Sequence, residues 1–177
     1  KLNLGGQKLM DIGPLTRLTA IEELNLNENN LKNIEPLLIL KSLKILKLSG
    51  NQLDDLKHIE TLVAMETLDV SGNQISDISP LKAMVGLKDL RLGGNKITDV
   101  GPLENMIKIE SLDAGANQIS KATPFASLKS LQMLNIGNNQ IKEIENFQNL
   151  KTLQILILKG NPVDANELET LKRTLKG

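Results

Sequence analysis

Four charged residues of alternating sign, Lys47, Asp69, Arg91 and Asp113, stand 22 positions apart, and Asp89 falls two positions before Arg91. Paired carboxylates are the raw material of acid/base catalysis, and three of them can gather a hard cation. Two strand spacings would separate Asp69 from Asp113 by about 10 Å, the upper edge for an inverting glycosidase, but Arg91 stands between them where a sugar would lie. The same guanidinium opposes a calcium site built from Asp69, Asp89 and Asp113, which is also short of oxygen ligands. The one histidine, His58, has no catalytic company, there is no cysteine, and no G-x-x-x-x-G-K-[ST], G-x-G-x-x-G or H-E-x-x-H occurs. The sequence therefore predicts no enzyme: no catalytic, cofactor-binding or metal-binding residue, no cofactor, and no small-molecule substrate.

The elements that hold these charges are set by a strict period. Leu2, Leu24, Leu46, Leu68, Leu90, Leu112, Leu134 and Leu156 form one column at 22-residue spacing, and Asn29, Asn51, Asn73, Asn95, Asn117, Asn139 and Asn161 form another, with Gln7 in the first place. Each unit follows L-x-x-L-x-L-x-x-N-x-I-x-D-I-x-P-L-x-x-L, the pattern of a leucine-rich repeat array. Within it, L-x-L alternates as a half-buried strand does, so stacked units would form a parallel sheet with leucines pointing inward. The Asn column is expected to be a buried ladder tying each turn to its neighbour, not a binding site. Pro14, Pro36, Pro80, Pro102 and Pro124 punctuate the return segment, which predicts turns or short 3₁₀ pieces there, with His58 exposed at the same position of the third repeat. Small residues before the Asn, such as Gly93-Gly94, suit a sharp strand exit. The expected fold is an α/β solenoid: a right-handed superhelix of about eight repeats over residues 1–177, one domain, with a concave parallel sheet, a 3₁₀ or turn convex side, and a C-terminal capping helix.

Three places depart from the pattern. Ala114 and Ala122 replace larger residues in the sixth repeat, and Phe125 and Phe147, the only aromatics, are expected to pack together and fill the space; a ligand pocket there is the alternative. At the end of the chain, Leu168, Leu171 and Leu175 recur at helical spacing. They predict a cap helix over about 166–176, opened by a capping box of Asp164 and Glu167. At the beginning, no amphipathic segment precedes Leu2, Leu4, Leu9 and Ile12. An N-terminal cap is therefore absent, which suggests an excerpt of a longer protein or a face covered by a partner.

Twenty-one basic residues balance 21 acidic ones, and no window gathers five like charges, which disfavours nucleic acid. No run of 18 apolar residues predicts membrane insertion, and no signal peptide is visible. The absence of cysteine and of Asn-x-Ser/Thr acceptors leaves the compartment open.

What remains is a surface. The strand positions flanking the inward leucines give Glu23, Asn25, Ile45, Lys47, Thr67, Asp69, Asp89, Arg91, Ser111, Asp113, Met133, Asn135, Ile155 and Ile157 as the candidate protein-binding residues of the concave face. Within them, Lys47, Asp69, Arg91 and Asp113 are placed to form a cross-strand ionic ladder. Met133, Ile155 and Ile157 would either pack under the terminal helix or form an interaction patch. Reversing the charges of Asp69 and Arg91 is expected to weaken binding without unfolding.

The stretches NQISDISPL (Asn73 to Leu81) and NKITDVGPL (Asn95 to Leu103) resemble the 22-residue repeats of bacterial internalins, and NPVDANELETLKRTL resembles end segments of such proteins. NQIKEIENFQNLKTLQ (Asn139 to Gln154) resembles the leucine-rich regulatory subunit of protein phosphatase 1. The first resemblance implies a noncatalytic protein-binding module at the cell surface or secreted. The second implies a cytoplasmic regulatory scaffold. A third expectation, a purely structural segment stacking through its open N-terminal edge, comes from the repeat pattern alone.

Overall fold

The computed structural model describes residues 1–175 of the chain. Eight strands, β1 (Leu2–Asn3), β2 (Glu23–Asn25), β3 (Ile45–Lys47), β4 (Thr67–Asp69), β5 (Asp89–Arg91), β6 (Ser111–Asp113), β7 (Met133–Asn135) and β8 (Ile155–Ile157), form one parallel sheet in sequence order. The register follows the repeat without slippage, from Leu2↔Leu24 to Leu134↔Leu156. Each crossover is one repeat long and contains a single short 3₁₀ segment. That length is what parallel neighbours need, since a tight hairpin cannot join them.

Proline and aspartate together make the return segments. Five of the seven 3₁₀ segments carry Pro in their first turn, where its missing N–H removes no hydrogen bond. Two residues before the segment's amide, an Asp or Asn carboxyl or carboxamide oxygen accepts that N–H. Gly13 donates to Asp11 at 2.8 Å, Glu35 to Asn33 at 2.8 Å, Ser79 to Asp77 at 2.8 Å and Gly101 to Asp99 at 2.8 Å. In the third repeat His58 is exposed, as expected, and takes φ 75°, a conformation closed to proline. Its 3₁₀ segment shrinks to Ile59–Thr61.

The inward leucines form one continuous core, with Leu46, Leu68, Leu90, Leu112 and Leu134 fully buried. Phe125 and Phe147 are also fully buried, on neighbouring 3₁₀ segments that pack side by side, and Ala114 and Ala122 are buried too. A groove of 830 Å³ opens at the surface beside Ala122, lined by polar groups including Lys121, Thr123, Asn139 and Lys142.

The asparagines form the expected ladder. In Asn95, Nδ2 donates to Leu92 O of its own repeat (2.9 Å) and Val70 O of the preceding one (3.0 Å), while Oδ1 accepts the Ile75 amide (3.0 Å). The same bonds recur at Asn51, Asn73, Asn117 and Asn139, all buried. Every bridge runs back to the preceding repeat. Gln7 stands in the same column, and its side-chain amide reaches Gly5 O at 3.1 Å.

The residue before each Asn turns left-handed. Gly50, Gly72 and Gly94 do so at φ 64° to 67°, but Glu28, Ala116 and Asn138 adopt φ 55°, 52° and 53°. A Cβ strains that conformation, so these repeats hold it against local preference.

Helix α1 (Ala165–Leu175) ends the described chain, one residue from the expected start, and Lys176 lies outside the described residues. Leu171 is buried and Leu168 half-buried against the core. The capping box forms only in part. Asp164 Oδ1 accepts the Asn166 and Glu167 amides (2.8 and 3.3 Å), but Glu167 Oε2 accepts the Ile144 amide of the seventh repeat at 2.9 Å. That carboxylate ties the helix to the array.

Replacing Asn95 by Ala orphans buried amide and carbonyl groups of two repeats and is expected to cost about 2–4 kcal/mol by urea denaturation, against a smaller loss at the half-buried Asn161. Ala116→Gly relieves left-handed strain at an exposed turn, and a gain of about 0.5–1 kcal/mol in the same measurement is expected.

Candidate functional site

The alternation of each strand puts the fourteen candidate side chains on the sheet face opposite the leucines, and the 22-residue register lines them up from repeat to repeat. A hollow of 510 Å³ over the first five strands brings together Glu23, Asn25, Ile45, Lys47, Thr67, Asp69, Asp89 and Arg91, with Lys1 at its edge. Ser111, Asp113, Met133, Asn135, Ile155 and Ile157 lie outside it, on β6 to β8. A second hollow of 430 Å³ is lined by Asp113, Asn135 and Ile157 together with Gly93, Gly115, Gly137 and Lys159. The sequence assigned Gly93 and its equivalents to the strand exits as turn geometry, and Lys159, one step beyond the L-x-L pattern, was not among the candidates.

The ionic ladder expected from Lys47, Asp69, Arg91 and Asp113 does not form. Among the described residues none of these four pairs with another, and Arg91 instead bonds Asp89 on its own strand at 3.2 Å. The competing interaction is local. Asp69 Oδ1 accepts the Ser71 amide (3.0 Å) and hydroxyl (2.6 Å), and Asp113 Oδ1 accepts the Gly115 amide (2.9 Å) and an Asn135 amide proton (3.0 Å). Asn25 and Asn135 close the same turn onto Asn27 and Gly137, at 2.9 and 3.0 Å. A short side chain two residues before a free backbone N–H reaches it at little entropic cost, so Asp and Asn in this column hold the strand exit.

Asp69 is consequently buried, at 8% exposure, whereas Lys47 and Arg91, too long for the turn, stand exposed. A charge reversal at Asp69 therefore disturbs the strand exit as well as the surface. Asp89 is half-buried, and its Oδ1 has no hydrogen-bond partner, which ties its orientation to Arg91 at Oδ2. No group of three His, Cys, Asp or Glu among the described residues could hold a metal ion.

The last strand also differs from one of the two expectations for it. Helix α1 packs on the 3₁₀ segment Glu145–Asn149 and leaves Ile155 and Ile157 exposed at 50% and 43%. They project beside half-buried Met133 as an open apolar patch, the kind of surface that contacts partners.

Leucine-rich repeat family profiles match residues 41–83 ("Leucine Rich repeats (2 copies)"), 87–101 and 121–163. No curated protein sequence matches the chain. Among solved structures, internalin C2 of Listeria monocytogenes is 32% identical with a TM-score of 0.92, over 96% of this chain and 76% of that one. Internalin F of the same organism is 33% identical with a TM-score of 0.75, over 95% of this chain and 56% of its own. A leucine-rich repeat protein of Leptospira interrogans is 26% identical with a TM-score of 0.63, over 99% of this chain and 58% of its own. This chain thus spans little more than half the length of the latter two.

An alternating ladder does exist, one residue before the strands, in the column Glu22, Lys44, Glu66, Lys88 and Glu110. Lys44 Nζ meets Glu22 Oε1 at 3.0 Å and Lys88 Nζ meets Glu66 Oε2 at 2.7 Å. The Lys88 hydrogen bond and charge hold the Glu66 carboxyl below its ordinary value, and Glu66 in turn raises the Lys88 ammonium. At Asp55 the Lys57 amide, with the Lys57 ammonium behind it, lowers the carboxyl. Depressed carboxylates contribute stability above their unfolded pKa, and that contribution is lost as pH falls through the folded value. The raised Lys88 contributes below its unfolded value of 10.5 and loses it as pH rises further. Thermal stability is expected to be flat near neutrality and to fall below about pH 4.5, with Glu66→Gln flattening that acid limb in a melting series.

Proposed function

Because the chain belongs to the internalin-like leucine-rich repeat proteins, whose repeats serve as protein-interaction modules, we propose that it is a noncatalytic recognition module that binds a protein partner on its concave sheet. The observation that carries this reading is the division of the face. Asn25, Asp69, Asp113 and Asn135 are engaged at the strand exits, whereas Lys47, Thr67, Ser111, Met133, Ile155 and Ile157 make no side-chain hydrogen bond or ion pair among the described residues. A rigid backbone presenting uncommitted polar and apolar groups suits binding without induced rearrangement. Apolar Ile155 and Ile157 would supply the desolvated contact, and Lys47 and Arg91 the steering charge.

The surface or secreted placement rests on the internalin resemblance, which the comparisons bear out for the repeats. No described helix is long and apolar enough to cross a membrane. An intracellular scaffold of the phosphatase-subunit kind has no observation of its own here.

The test is parallel capture from host-cell surface extract and bacterial lysate with the wild-type chain, Ile155→Glu/Ile157→Glu, and Lys47→Glu. A protein held by wild type and lost, by tenfold or more in affinity, to the double variant supports the concave site. Equal capture by all three baits, each with an unchanged circular dichroism spectrum, would move recognition off this face.

A further inference from the structure

A second exposed apolar surface lies on the flank of the solenoid, where the chain passes from each 3₁₀ segment to the next strand. Val63, Val85 and Ile107 occupy one column of three consecutive repeats and are 62%, 48% and 57% exposed, and the same column holds Lys41 in the second repeat. Ala64 and Gly86 follow the two valines, so the strip has no polar side chain immediately after them. None of these residues serves the core, and the concave face lies beyond the strands from them. Isolated exposed apolar residues need no explanation, but a row repeated in register does.

The strip runs between two rows of charge. On one side stand exposed Glu60, Lys82 and Glu104, and on the other Lys44, Glu66, Lys88 and Glu110. Both rows alternate in sign from repeat to repeat, so neither a uniformly acidic nor a uniformly basic partner is matched. A second copy of this flank is matched, in one arrangement. With a two-fold axis lying across the flank between the third and fourth repeats, each row faces its own counterpart with the repeat order reversed. Glu60 then meets Lys82 of the second copy, Glu66 meets Lys88, and Lys44 meets Glu110, while Val63 meets Val85 at the centre and Ile107 lies against the aliphatic stem of Lys41 at each end.

Two alternatives repel. An axis running along the solenoid sets Glu60 against Glu66 and Lys82 against Lys88, and an axis centred on the fourth repeat sets Lys82 against itself and Glu60 against Glu104. Like charges placed together are costly, and an axis between the fourth and fifth repeats avoids them but matches fewer pairs, Lys82 with Glu104 and Lys88 with Glu110, while Glu60 and Glu66 face the neutral Ala126 and Gln132, so the rows favour the axis between the third and fourth repeats. We propose that this flank is a homodimer interface, with two copies of the chain antiparallel about a two-fold axis between the third and fourth repeats. The exposed ion pairs themselves add little affinity, so the valines carry the association and the charges set its geometry.

The reading is independent of the concave site and is tested on the isolated chain by sedimentation equilibrium from micromolar to near-millimolar concentration. A reversible dimer is expected. Val85→Asp should weaken it by about tenfold or more, since it buries a charge at the centre. Glu60→Lys should weaken it by a smaller but measurable factor by facing Lys82 twice across the two-fold, and the exchanged pair Glu60→Lys with Lys82→Glu should restore it. All three positions are exposed, so the fold should be unchanged by circular dichroism. A chain that stays monomeric throughout overturns the proposal, as does a dimer indifferent to Val85→Asp or one that the charge exchange fails to rescue.

Discussion

One side-chain amide, repeated at every turn, is the contact on which the rest of the structure depends. A repeat of 22 residues cannot bury its own apolar face, and each needs its neighbour. The asparagine supplies the link that apolar packing cannot, because packing is nondirectional and would tolerate slippage. Its Nδ2 reaches carbonyls of two successive repeats and its Oδ1 fixes an amide of the earlier one, as Asn73 does with Leu48, Val70 and Leu53. A shift of register by one residue would leave those buried groups unpaired. The strand pairing, the left-handed turn before each Asn and the flat succession of outward side chains all follow from that fixed spacing.

The surface is shaped by competition between local and long-range bonds. Asp69 and Asp113 could have met Lys47 and Arg91 across strands, and the amide two residues on captured them first. The capture leaves Lys47 and Arg91 outside, Asp69 buried and Asp113 half-buried. The neutral ladder forms one residue earlier, at Glu22, Lys44, Glu66 and Lys88, where no nearby amide competes and long side chains reach across adjacent repeats. The side chains on this face that take no part in the strand exits are therefore the long cations and the apolar ends of β8.

Much of this was legible in the sequence. The leucine and asparagine columns gave the strands, the register and the ladder, because a period kept over eight units is a physical constraint expressed at every unit. Proline spacing located the 3₁₀ segments, and Leu168 and Leu171 located the cap helix. The candidate face was legible as a set of positions. Its division into engaged and free residues was not, since that depends on whether a carboxylate lies nearer to a backbone amide or to a cation, a difference of a few ångströms that repeat spacing does not contain. The partner of Glu167 was hidden for the same reason: the capping pattern is local, and the Ile144 amide that displaced it lies 23 residues away.

The sequence by itself determined the solenoid, its parallel sheet, its inward leucines and the family of repeats to which it belongs. These are consequences of periodicity, and periodicity is written along the chain. Only the tertiary structure decided that Asp69 is a buried strand-exit cap, that Ile155 and Ile157 remain open beside helix α1, and that the valines of the flank stand in an exposed row. Those outcomes depend on distances between side chains brought together by stacking, and such distances exist only once neighbouring repeats have set the curvature and spacing of the faces.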